Sequence, residues 1–271
     1  LGNLWRWLEP WYGPYRLVIA VLRRSEPPFA LASRFGYAPA IVLFLAFAWF
    51  ELVYPSPDDP FRLAVVLVGY WIFNFAGMLL FGHGPWTARI ECFSVFFAMV
   101  ARLSPFERKT DGSLSLRLPG AKAADAEPLP VSGALFLLLV LSTVSYDGLM
   151  RTFFWLGLLG VNPLEFPGRS ALVAENTLGL LAAFAALGGL FFACVWAGQH
   201  LAGRKGNAAN AAGALVWSIL PISLAYHFSH YLVSLVLYGQ YALAAISDPL
   251  SKGWNLFGTA GYHVVAGATS G

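Results

Sequence analysis

Charge is what this sequence has least of. Only 11% of its 271 residues are Asp, Glu, Lys or Arg, while 58% are hydrophobic; soluble domains carry about 25% charged residues. A water-soluble domain of this length has no interior large enough for so much apolar surface. The chain is therefore read as an all-α, polytopic transmembrane helix bundle. A net charge of +3, with the arginines and lysines clustered beside apolar segments, does not point to nucleic acid as a partner and reports orientation instead. Cysteine is nearly absent. Cys92 and Cys194 are far apart in apolar surroundings, which excludes a disulfide framework and a CxxC site. HExxH, the histidine boxes of membrane di-iron enzymes and any internal repeat are missing too. The chain starts at Leu1 without a charged-then-apolar leader, and is read as a mature or incomplete segment.

What is present is long apolar runs. A spanning helix needs about 20 mostly apolar residues, and five runs qualify: Tyr37–Tyr54, Phe61–Phe81, Leu129–Tyr146, Ala171–Ala197 and Asn210–Ile246. The last exceeds a bilayer at about 1.5 Å per residue, and Pro221 is expected to kink it. Loop charges set the direction. Arg6, Arg16, Arg23, Arg24 and Arg34 place the leading segment in the cytoplasm, and the acidic "PSPDDP" lies outside. The stretch Arg102–Lys122, with Arg108, Lys109 and Arg117, and the turn "GRKG" are basic again. They fall on the cytoplasmic side only if the weak segment Arg89–Leu103 does not cross. It is read as a re-entrant or interfacial helix. The expected organisation is one transmembrane domain over 1–271. It has an interfacial cytoplasmic segment (1–36, rich in Trp and Tyr), an irregular cytoplasmic loop (104–128) and an outer tail (247–271). "LMRTFFWLGLLGV" should lie along the outer surface. The small-residue helix Leu178–Ala197 should let a neighbour approach closely.

Against this background the ionisable residues stand out. His227 and His230 are three apart, about 60° around a helix, and share a face with Ser223 and Ser234. The topology puts them in an outer half, with Glu51, Asp147 and Glu175 at the same level on three other helices. Charges in lipid are expensive unless paired, so such a gathering marks a candidate site. Imidazole and carboxylate are the usual ligands of zinc, iron or manganese. His227, His230 and Glu175 would hold such a divalent transition metal, with Glu175 or Asp147 as ligand or general base to a metal-bound hydroxide. Hydrogen bonding across helices accounts equally for the histidine pair, and an ion pair with Arg151 or Arg169 for Glu175. Asn74 reads as interhelical glue, and His83 and His200 as solvated residues at the cytoplasmic ends.

Three phrases, "AFAWFELVYPSPDDP", "AYHFSHYLVSLVLYGQ" and "SDPLSKGWNLFG", resemble segments of a bacterial family of uncharacterised polytopic membrane proteins. Some members bear the name of a membrane-bound fenitrothion (organophosphate) hydrolase. The resemblance runs over most of the chain in the same order. It implies further helices before Leu1 and after Gly271, and hydrolysis of a phosphotriester, a reaction suited to a metal-bound hydroxide. It carries no catalytic motif onto particular positions.

Three functional readings follow, all for a multi-pass protein of a bacterial inner membrane whose first partner is the lipid bilayer. One is a metal-assisted hydrolase or related metalloenzyme near the periplasmic face. The second is a non-catalytic subunit of a larger inner-membrane complex, packed against other membrane subunits through its aromatic and small-residue surfaces. The third is a transporter, suggested by the Pro221 kink, the re-entrant candidate and intramembrane Glu175. A bis-histidine haem is disfavoured because both histidines lie on one helix.

Overall fold

The computed structural model describes residues 3–23, 26–108, 113–165, 168–203, 206–263 and 265. Arg24, Lys109, Arg204 and Lys205 of the basic loops lie outside the described residues, as do the side chains of Arg108 and His230. Helices dominate: α1 (Trp5–Leu8), α2 (Tyr12–Leu22), α3 (Ala38–Leu52), α4 (Pro60–Phe81), α5 (His83–Arg89), α6 (Cys92–Val100), α7 (Ala121–Ala124), α8 (Val131–Met150), α9 (Phe153–Leu158), α10 (Val173–Leu201), α11 (Ala208–Leu215) and α12 (Ile219–Ser247). Four helical stretches are long and apolar enough to cross a membrane: Pro60–Phe81, Val131–Met150, Arg169–Leu201 and Ala208–Ser229. This is an all-α transmembrane bundle. The loop expected to be irregular contains a small antiparallel pair, β1 (Phe106–Arg108) with β2 (Leu114–Leu116), and the short α7.

The chain divides into two units, Leu1–Pro221 and Ile222–Gly271. In the first, α8 is the central helix. Phe136, Leu137, Leu138, Leu139 and Val140 are wholly buried, because α3, α10 and α11 cover it on different sides. A helix apolar all round has to be enclosed or face lipid; α8 is enclosed. By contrast, α4 leaves Phe61, Val65, Leu67, Val68 and Ile72 exposed, a surface suited to acyl chains. The small residues of α10 work as expected: Gly179 lies against the Tyr146 hydroxyl and the Trp155 ring. The first expected span is the shortest. α3 has 15 residues, about 22 Å at 1.5 Å per residue, with Pro39 at its first turn and Pro55 just beyond its end.

Asn210–Ile246 is helical as expected, but its irregularity lies upstream of Pro221. A single 3-10 turn, Val216–Ser218, separates α11 from α12. Proline lacks the N–H that would bond four residues back, here to Trp217, so the defect appears in the preceding turn. The second unit holds most of α12 and an ordered knot beyond it. There Asp248 accepts from the backbone N–H groups of Lys252 and Gly253, each at 2.8 Å. The Ser247 hydroxyl meets Asn255, Phe257 and Thr259.

At the ends of α8 and α11 two backbones touch: the Leu129 N–H donates to the Gly213 carbonyl at 3.0 Å. A Cβ at 213 would lie 2.0 Å from the Leu129 carbonyl oxygen. No rotamer can relieve a clash with backbone, so Gly213→Ala is expected to destabilise by about 1–3 kcal/mol or more. Gly198→Ala, on a helix with nothing within 4 Å, should be neutral or gain up to about 1 kcal/mol. Thermal unfolding of both variants in detergent checks the contrast.

Candidate functional site

The segment after α4 forms a helical hairpin that turns back half-way along α4. α5 runs antiparallel to α4: Trp86 donates to the Asn74 side-chain oxygen at 2.9 Å, and its ring fills the notch at Gly77. Asn74 is the interhelical glue the sequence suggested, with its amide nitrogen donating to the Tyr70 carbonyl. The chain then breaks at Ile90–Glu91, and α6 returns along α3, with Phe93 against Phe47 and Phe96 against Phe44. α5 and α6 have 7 and 9 residues, and neither is long enough to cross a bilayer. The re-entrant expectation for Arg89–Leu103 captures the returning arm. The outgoing arm starts earlier, at His83.

At the turn sits Glu91, with 0% of its surface exposed. Its carboxylate accepts from the backbone N–H groups of Phe93 (3.0 Å) and Ser94 (2.6 Å), capping α6. It also accepts a hydrogen bond from the Tyr70 hydroxyl. Tyr70 is the eleventh of 22 residues in α4, so Glu91 lies at the middle of a spanning helix. The Tyr70 hydroxyl also reaches Cys92 Sγ at 3.3 Å. Among the described residues no cation pairs with Glu91. Arg89, two residues before it, is half-buried. Around the site Trp11 donates to the Trp71 carbonyl, and Trp5 donates to the Ser94 hydroxyl. The aromatic leading segment thus packs against the hairpin as well as suiting an interface. His83 is not simply solvated: its Nε2 meets Glu9 at 2.9 Å, between the rings of Tyr12 and Tyr15.

The residues singled out from the sequence are distributed as follows. Asp147 is buried and paired with Arg151, at 2.9–3.0 Å. Glu175 is exposed in the first turn of α10. Glu51 is half-buried, and Arg169 donates to its backbone carbonyl at 2.8 Å. Neighbouring Asn176 is buried and accepts from both Tyr146 and Trp155. In the second unit His227 turns its Nδ1 to the Ser223 carbonyl at 2.8 Å. Ser223, His227 and Ser234 are less exposed than most of α12, the polar stripe expected from their spacing. Among the described residues no three His, Cys, Asp or Glu side chains are grouped closely enough to hold a metal ion. Sequence reasoning gives Glu91 no role beyond its place in the weak segment Arg89–Leu103. The available signal was an acid placed directly before the apolar run "CFSVFFAMV".

Comparison with protein-family models, curated proteins and solved structures finds no match.

Proposed function

We propose that this chain is a multi-pass protein of a bacterial inner membrane that carries protons across the bilayer by way of Glu91. The observation behind this reading is the Glu91 carboxylate itself: wholly buried, half-way along a spanning helix, with no cationic partner among the described residues. Ionisable groups at such depth are costly and mark ion or proton paths. Broken helices meeting near mid-depth are the part of the fold that transporters use. In this reading Glu91 holds the proton. Tyr70, whose hydroxyl can donate to the carboxylate and accept from the carboxylic acid, stays its hydrogen-bond partner in both states. The bacterial inner-membrane placement rests on the apolar helices together with the arginine-rich leading segment. Metal-assisted hydrolysis has no comparable support, since Asp147 is engaged by Arg151 and Glu175 is exposed.

Purified protein in liposomes loaded with a pH-sensitive dye tests it. Under a potassium-diffusion potential, wild-type vesicles should acidify faster than protein-free ones. Glu91→Gln should lower the rate at least about tenfold, the loss of one proton-transfer group, and Tyr70→Phe should lower it less. Wild-type vesicles no faster than empty ones, or Glu91→Gln equal to wild type, would overturn the proposal.

A further inference from the structure

The leading segment and the start of the hairpin enclose a polar crevice of about 560 Å³, lined by Asn3, Arg6, Trp7, Glu9, Tyr12 and His83, with Gly13 at its edge. We infer that it is a binding site for the headgroup of an anionic phospholipid. Three observations lead there. Glu9, its side chain only 4% exposed, turns its carboxylate to His83 at 2.9 Å, so its oxygens are engaged away from the opening. Arg6 supplies the crevice's positive charge: its guanidinium has no hydrogen-bond or ion-pair partner among the described residues. A guanidinium fork matches phosphate oxygens in pairs. Third, α1 and the residue before it expose Leu4, Trp7 and Leu8, at 67%, 80% and 64%. A free phosphate would have no use for that apolar rim; the glycerol and acyl chains of a lipid would lie on it. Asn3 and the Tyr12 hydroxyl add donors suited to the remaining headgroup oxygens. The site is separate from Glu91 and does not depend on the proton-path reading.

The test is the melting temperature of the detergent-purified protein with dioleoylphosphatidylglycerol, with dioleoylphosphatidylcholine, and with glycerol 3-phosphate alone. A ligand that binds only the folded state raises it. Phosphatidylglycerol should raise it above the phosphatidylcholine value. Arg6→Gln should lose most of that rise, Arg6→Lys should keep part of it, and Arg34→Gln, an equal change of charge on an exposed arginine away from the crevice, should keep it whole. The inference falls if phosphatidylglycerol gives no more than phosphatidylcholine. It also falls if Arg6→Gln and Arg34→Gln lose the rise equally, or if glycerol 3-phosphate alone reproduces it.

Discussion

Glu91→Ala is expected to destabilise the first unit by about 1.5–5 kcal/mol. Two losses combine. The carboxylate caps α6 by accepting from Phe93 and Ser94, and losing a cap costs about 0.5–2 kcal/mol. It also receives the Tyr70 hydroxyl, and a half-buried donor left with only the Cys92 sulfur costs about 1–3 kcal/mol. Water cannot replace the side chain cheaply at a site with no exposed surface. Glutamine keeps one acceptor oxygen and much the same volume, so Glu91→Gln should retain roughly half of the lost stability. The apparent melting temperature in mild detergent should therefore fall by roughly 5–15 °C for alanine and clearly less for glutamine. This ordering differs from the one expected for proton flux, where glutamine is as inactive as alanine. A melting temperature of Glu91→Ala equal to that of wild type would mean that the carboxylate does not hold the hairpin together.

How much of this was legible beforehand varies by element. The bundle itself, the re-entrant character of Arg89–Leu103 and the packing role of Asn74 follow from hydropathy, loop charge and the cost of a lone amide in lipid. Each depends on a rule that acts locally along the chain. The outgoing arm of the hairpin was not legible, because "HGPWTAR" is too polar and too short to register as membrane-embedded. It is held by Trp86 meeting Gly77, a contact between residues with no shared periodic pattern. Glu91 was missed for a related reason. Its partner Tyr70 lies 21 residues away on another helix, and glutamate is not among the residues that usually cap helices. The outer carboxylates were legible as residues but not as partners. Whether Asp147 would meet a metal or its own Arg151 depends on a side-chain choice that helical spacing permits either way.

The hairpin's attachment gives the second large effect. A Cβ at position 77 would come within 2.2–2.4 Å of three atoms of the Trp86 indole. The indole also donates to Asn74, which is wholly buried. Gly77→Ala therefore cannot be absorbed by a small shift: the ring must leave its notch, giving up the hydrogen bond and orphaning Asn74. Overpacking of this kind costs about 1–3 kcal/mol, and the lost bond to a buried group adds about 1–3 kcal/mol more. Trp86→Leu alone removes the ring and opens a cavity, a loss of about 3–5 kcal/mol at most, since leucine fills part of the space that alanine would not. Combined, the two changes should not add. With the indole gone, the methyl at 77 occupies space the ring has vacated, so Gly77→Ala/Trp86→Leu should be no less stable than Trp86→Leu alone. The coupling between the sites is then the whole cost of Gly77→Ala, about 2–6 kcal/mol. Additivity within about 0.5 kcal/mol would show that α5 is not seated in α4 through this notch. Under the proposed proton path, Gly77→Ala should also slow flux without altering Glu91 or Tyr70, because α5 positions the turn. The double variant should regain stability relative to the sum of the single changes while regaining little flux, since leucine seats the arm without the Asn74 bond that fixes its register.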